Sequence, residues 1–358
     1  MEMAPPSSAR PPGSARGAAP TVARYLAILA AVAMLALAAA PLVGGPPDPV
    51  PAPAKAGEVS FLVAADVRDF ASGAHAGEAY FLGACRAMRA SGPAAFLVAL
   101  GDQDPPQPVA EVIASVFGPA FPWYPVVGNH DVSDEGFMAF LRRRNAGGVG
   151  LPNVVRPGPP GAVETTYSFE TGDVHVAVLN QYFDGTSDRS KTADVSDASY
   201  AWLAADLAAT TKPFTFVVGH EPAFPQPDMA TGRVRHEKTS LGRNPAKRDR
   251  FWKLLRERKV TAFLCAHTHG ASAKKVDGVW QLDCGHARGK GDPGAPSTFL
   301  RITAGGGDCR YEFHRADQEG ANYAVTLAGS LVKDESPARA GPADRPAVTP
   351  APERGRPR

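Results

Sequence analysis

The chain has 358 residues, 44% of them hydrophobic and 21% charged, enough for one large α/β domain with tails or for two small domains. A formal net charge of +2 gives no global field that would draw the chain to nucleic acid or a membrane surface. The four cysteines, Cys85, Cys265, Cys284 and Cys309, form no C-x-x-C pair, which argues against a zinc ribbon or thioredoxin-like motif and leaves buried thiols or a single disulfide.

Residues 1–43 read as an address. Glu2, Arg10 and Arg16 are the only charges before residue 22, and Arg24 then precedes an uncharged run over 25–43. A positive flank, an apolar stretch and the small residues Ala36, Ala38 and Ala40 resemble a secretory signal. The run also reaches the roughly 17–25 residues that span a bilayer. Pro41 disfavours cleavage after Ala40, so an uncleaved membrane anchor stays open. Residues 44–57 form a Pro/Ala/Gly linker without apolar periodicity. A folded domain is expected over 58–316, then a C-terminal extension over 317–358, disordered from about residue 334.

Within the domain, residues 59–65 read as a buried strand. A helix over 77–90 follows, then a strand over 94–100, a helix over 109–117, a strand over 123–127 and a helix over 137–144. Runs over 167–170 and 175–180 flank Thr171-Gly172-Asp173, a hairpin signal. Residues 199–209 are amphipathic, with Trp202, Leu203 and Leu207 on one face. Further strands are expected over 214–218, 262–265, 279–284 and 299–303. Strands alternating with helices predict a layered α/β fold, and the hairpin predicts mixed sheets.

Polar residues cluster where apolar strands stop. Asp66 ends the first, and Asp102 follows the second in Leu100-Gly101-Asp102. Asn129, His130 and Asp131 follow Val126-Val127-Gly128. His220 follows Phe216-Val217-Val218-Gly219, and His267 and His269 follow Phe263-Leu264-Cys265-Ala266. In open α/β sheets that edge binds ligands. Carboxylates, imidazoles and an amide oxygen suit hard or borderline divalent metals. Two such ions roughly 3.5–4 Å apart acidify a shared water and clamp an in-line displacement. Gly101 and Gly128 let the chain turn sharply there. Singly, each residue has a plainer role: Asp66 or Asp102 as a helix cap, Asn129 in a turn, His-x-His as incidental. The joint placement after five apolar strands is what argues for a metal site.

At these residues the chain resembles the calcineurin-like metallophosphoesterase superfamily, in particular its purple acid phosphatase-like branch. The blocks Asp66-Val67-Arg68, Gly101-Asp102, Gly128-Asn129-His130-Asp131, Gly219-His220-Glu221-Pro222 and Ala266-His267-Thr268-His269 stand in the family's order. The hairpin around Gly172-Asp173-Val174-His175 and the helix with Trp202-Leu203 and Asp206-Leu207 match its connecting segments. The resemblance implies two mixed β-sheets packed together with flanking helices. It implies hydrolysis of a phosphomonoester or phosphodiester by a metal-bridging hydroxide, between two ions of the Fe, Mn or Zn class. Asp66 and His269 would hold the first ion, Asn129, His220 and His267 the second, and Asp102 would bridge. His130 would be the general acid or a phosphate contact, oriented by Asp131.

Arg68 departs from the pattern, because the family's Asp-x-His has His there and a guanidinium does not ligate metals. Gln103, Asp104 and two prolines follow Asp102 with no tyrosine, so no tyrosinate–iron colour is expected. The first site is then weak, water-rich or differently liganded. Arg68 either grips the substrate phosphate bidentately or lies at the surface beside its loop. The polar insertion over 221–247, with Arg233, Arg235, His236, Lys238 and Arg243, is a basic lid or a solvated loop. His286 and Arg288 follow a strand and could line the cleft. Two other functions stand against this one: a non-catalytic surface protein whose first metal site has decayed, favoured by Arg68, and a cytoplasmic nucleotide phosphodiesterase, opposed by the run over 25–43.

Overall fold

A computed structural model describes residues 58–69, 72–320, 322–332 and 338–339. The expected address over 1–43 and the linker over 44–57 lie outside these residues. No helix among the described residues is long and apolar enough to cross a membrane.

The first sheet grows from a strand buried along its whole length, β1 (Val59–Ala64). On one side β2 (Leu97–Ala99) and β3 (Trp123–Pro125) pair parallel to it in sequence order. On the other side β11 (Thr298–Gly305), β12 (Asp308–Ala316), β13 (Tyr323–Ser330) and β14 (Ala338–Arg339) follow antiparallel. The second sheet runs β4 (Val154–Pro157), β5 (Tyr167–Thr171), β6 (Val174–Val178), β7 (Phe214–Val218), β8 (Ala262–Cys265), β10 (Val279–Cys284), β9 (Ala271–Val276). Its middle strands β6, β7, β8 and β10 are parallel, and the hairpin partners β5 and β9 are antiparallel. Two mixed seven-stranded sheets result, as the resemblance implies.

Strand periodicity sorts the side chains. Phe61, Val63, Val98 and Ile302 of the first sheet meet Phe169, Val176, Phe216 and Leu264 of the second in one core. Phe96 stacks on Phe61 at 4.8 Å and meets Phe169 edge-on at 5.2 Å, which knits the two sheets. Leu62, Leu97 and Ala99 point the other way, against α1 (Phe81–Ala90) and α2 (Pro106–Phe117). Ala177, Val217 and Phe263 point against α4 (Asp197–Ala209) and α5 (Pro245–Glu257). Parallel strands covered on both faces explain the unbroken apolar runs. A fifth helix, α3 (Glu135–Arg144), is capped by Asp134, whose carboxylate accepts from the Gly136 and Phe137 amides.

A buried polar knot fixes α4 on the hairpin. His175 Nε2 lies 2.8 Å from Asp206 and its Nδ1 3.1 Å from Glu170, while the Ser168 hydroxyl donates to Asp206 at 2.6 Å. All four cysteines are buried and unpaired, so they are thiols of the core.

Three expectations need correction. The domain does not end at residue 316, because β13 continues the sheet on β12, and Ala338 and Arg339 pair with β13. The first helix starts at Phe81 and not at 77, since Gly77 is extended after a single turn of 3-10 helix. The insertion over 221–247 is loop only to residue 244. There Asn244 accepts from the Lys247 amide and Pro245 opens α5, which buries Phe251, Trp252, Leu254 and Leu255.

Candidate metal centre

The parallel strands of both sheets end at the same edge. The chain leaving β1 presents Asp66, that leaving β2 presents Asp102, and that beyond β3 presents Asn129 and His130. From the second sheet, β7 releases His220 and β8 releases His267 and His269. Four of these residues hold left-handed backbone: Asp66 (φ 49°), Asp102 (φ 55°), His267 (φ 69°) and His269 (φ 59°). Such conformations cost non-glycine residues roughly 1–3 kcal/mol each and gather at functional sites. They reverse the chain at once, so that the side chain leaving each strand turns back over the sheet edge. Two glycines allow the loops to meet. A Cβ on Gly101 would lie 2.6 Å from His220 Nδ1 and 2.8 Å from Gly128 Cα, and one on Gly128 would lie 2.3 Å from the Asp102 amide.

The donor atoms converge. Asp66, Asp102 and His220 offer ligand atoms within 4.8 Å of one another, and all three residues are buried. His220 Nε2 lies 3.1 Å from Asn129 Oδ1, 3.2 Å from His267 Nδ1 and 3.5 Å from Asp102 Oδ1. The other ring nitrogen of His220, Nδ1, donates to the Leu100 carbonyl at 2.7 Å, which fixes the tautomer and leaves Nε2 as a lone pair facing the cluster. Asp66 Oδ2 accepts from the His267 amide at 2.9 Å, whereas its buried Oδ1 has no hydrogen-bond partner. A buried carboxylate oxygen without a donor fits a cation. Burial and the Asp66 charge push the Asp102 carboxyl up, and a cation between the two carboxylates removes that repulsion. Burial, with the neighbouring His220, pulls His267 down to about 2, so its imidazole is neutral, the form that binds metal. Asp66, Asp102 and His220 therefore fit a metal ion, with Asn129 Oδ1 and His267 Nδ1 beside His220 Nε2.

His130 stands at the rim, its side chain 34% exposed, with Nε2 3.8 Å from Asp102 and Nδ1 3.7 Å from Asp104. Burial and the Arg68 charge lower its pKa, so near neutral pH it offers an N–H donor. The expected orienting role of Asp131 is not what its contacts show. Asp131 Oδ2 accepts from the amides of Asp102 at 3.0 Å and Gly128 at 2.8 Å, and Oδ1 from the amide of Gln103 at 2.9 Å. Spent on three backbone donors, it ties the loop after β2 to the loop after β3. Arg68 pairs through Nε with both oxygens of Asp104, at 3.0 and 3.2 Å, and lies 30% exposed beside the site.

His269 sits differently from the other imidazoles. Its Nε2 is 3.4 Å from Asp66 Oδ1, as a shared ion would need, but it is only 2.7 Å from Nη2 of Arg288. Its Nδ1 is 2.6 Å from Asp292 and 2.5 Å from Nη1 of Arg235. Arg233 joins the same carboxylate at 2.8 Å. The insertion thus reaches the centre from outside the strand ends, and its His236 ring lies 4.3 Å from that of His267. Arg235 and His236, expected in a basic lid or a solvated loop, lie at the centre, while Asp104 and Asp292 carry no sequence signal for it. Of the two residues expected to line the cleft, Arg288 reaches His269, while His286 donates from Nε2 to the Ala295 carbonyl inside the wall.

The model of the calcineurin-like phosphoesterase family matches residues 60–271. A search of curated protein sequences finds no match. Among solved structures, PhoD superposes with a TM-score of 0.52 at 14% identity, over 76% of this chain and 69% of that one. Purple acid phosphatase PPD1 from yellow lupin (Lupinus luteus) seeds gives 0.49 at 10% identity, over 76% of this chain and 53% of that one. GAP50, described as the anchor in the inner membrane complex of Plasmodium, gives 0.48 at 12%, over 76% and 88%. This chain thus spans about half the length of the lupin enzyme. At such identities the likeness to PhoD speaks for the fold.

Proposed function

The chain belongs to the calcineurin-like phosphoesterase family, and on that premise we propose that it hydrolyses a phosphomonoester or phosphodiester at the centre formed by Asp66, Asp102, Asn129, His220 and His267. A divalent ion of the Fe, Mn or Zn class, held by these residues, would polarise a phosphoryl oxygen and acidify a water. The observation that carries the reading is the buried, unsatisfied Asp66 oxygen among converging ligand atoms.

The chain's own groups do the rest. His130, half-open at the rim, donates an N–H to the phosphate or to the departing oxygen. Arg68, whose pairing with Asp104 uses Nε, turns its terminal nitrogens to a phosphate oxygen. Asp131 keeps the Asp102 and Gly128 loops in contact, which holds the ligands of one sheet together. The apolar run over 25–43 supports a place outside the cytoplasm for this activity.

The test is hydrolysis of a panel of aryl phosphate mono- and diesters by the purified full chain loaded with Mn2+, Zn2+ or Fe. Asp102→Ala should abolish turnover and lower metal content. Wild-type turnover by that variant refutes the reading. A non-catalytic reading draws on the guanidiniums around His269, and it requires that the metal-loaded wild type turn over none of these esters.

A further inference from the structure

We propose that this chain holds a single metal ion and that the Arg288 guanidinium supplies, beside Asp66 and His269, the positive charge that a second ion would bring. The inference rests on the phosphoesterase reading and specifies its metal count and its phosphate-binding group.

Arg288 is 6% exposed, and its Nη2 lies 2.7 Å from His269 Nε2. The tautomer that suits Asp292 and Arg288 has His269 Nδ1–H donating to Asp292 and Nε2 accepting from Arg288, with Arg235 Nη1 beside Nδ1 donating to the same Asp292 carboxylate. The lone pair an ion would need is then engaged by a donor that does not give up its proton. The remaining ligand of such a site is absent as well, because Arg68 occupies the position where an imidazole would stand. Arg288 feels the Arg68 charge, and also those of Asp66, Asp292 and Asp102. A second divalent ion at Asp66 and His269 would face these guanidiniums at short range, in a buried setting where repulsion is weakly screened. A guanidinium in its place is a fixed cation with a planar fork that matches two phosphate oxygens. The donor set at His269 therefore does not fit an ion, and no step is drawn through one there. Asp292, held by Arg233 and Arg235, anchors the far side of the His269 ring.

The experiment measures metal content and inorganic phosphate binding, with turnover recorded beside them. Full chain stripped with chelator and dialysed against excess Mn2+, and separately Zn2+, should retain one ion per chain by elemental analysis. Two ions per chain overturn the proposal. Arg288→Met should keep one ion yet bind inorganic phosphate at least about tenfold more weakly in the Mn2+-loaded protein, as expected for loss of a charge-assisted hydrogen bond. Unchanged phosphate affinity overturns it. The double variant Arg68→His, Arg288→Met restores an imidazole and removes the competing cation, and should rise toward two ions. If it stays at one, Arg288 is not what excludes the ion and the proposal fails. Thermal melts confirm that each variant is folded. Hydrolysis with two ions bound defeats this inference alone, whereas one bound ion without hydrolysis of any ester defeats the phosphoesterase reading.

Discussion

Gly101→Ala probes how the backbone makes the centre. Gly101 has φ 91°, and its added Cβ would meet His220 Nδ1 at 2.6 Å, Gly128 Cα at 2.8 Å and Gly128 N at 2.9 Å. Two of these three atoms are backbone, and the third belongs to a ring held by the Leu100 carbonyl at 2.7 Å, so none gives way cheaply. Left-handed backbone at alanine costs roughly 1–2 kcal/mol, and overpacking a tight core adds about 1–3 kcal/mol. A destabilisation of about 3 kcal/mol follows, which for a domain of this size lowers Tm by roughly 6–12 °C. Displacing the His220 ring also disturbs the hydrogen bond behind a metal ligand, which typically weakens metal binding about 10–100-fold. Gly278 is the control. It has φ 88° with nothing within 4 Å of its Cβ position, so Gly278→Ala should show the backbone cost alone and normal metal affinity. Calorimetric melts and Mn2+ titrations on both variants read the two terms separately. Equal metal affinity in Gly101→Ala and wild type would refute the claim that this close approach sets the His220 position.

His130→Ala should keep its metal and lose turnover by roughly 10²–10⁴-fold, because the ring stands at the rim, 34% exposed; lost metal with unchanged turnover per bound ion would make His130 a ligand. Burial pulls the His175 pKa down, but its bonds to Asp206 and Glu170 outweigh this and hold it above the ordinary 6.5. Its stabilising contribution is therefore full below about pH 6.5 and lost as pH rises through the folded value. In urea melts the stability gap between wild type and His175→Gln should narrow from acid to alkaline pH, and a gap constant across that range contradicts the sign. A chain beginning at Glu58 should hydrolyse esters as the full chain does yet stay inside expressing cells; export of that shorter chain would remove the role given to residues 25–43.

Strands buried on both faces are easiest to read, because burial leaves mostly apolar residues. The strands expected over 214–218, 262–265 and 279–284 coincide to the residue with β7, β8 and β10. Strands with exposed residues escape the pattern: β9, at a sheet edge, exposes Lys274 and Lys275 on opposite faces, and β12 interleaves Arg310 and Glu312 with Tyr311 and Phe313. In α5 the apolar face of Phe251, Trp252, Leu254 and Leu255 is diluted by five Lys and Arg residues in its span, so its polarity masked the helix. The candidate ligands are legible because each follows an apolar run. Asp292 and Arg235 follow none, and only tertiary packing carries them to His269. Sequence adjacency points Asp131 to His130, whereas its carboxylate reaches the other loop at Asp102 and Gln103.

The bond between the Asp66 carboxylate and the His267 amide joins residues 201 positions apart, and that between His220 and the Leu100 carbonyl spans 120. Contacts of such separation form late, after the intervening chain has lost its freedom. During synthesis the residues Asp66, Asp102 and Asn129 leave the ribosome long before their partners from β7 and β8, so a chain that ends before β7 offers an ion from this set only carboxylates and an amide. Tight metal capture is therefore a certificate of completed folding. Cells short of metal would accumulate finished but empty protein, with no block at an earlier stage, and a cut in the chain between β3 and β8 would release the ion as soon as the two sheets part.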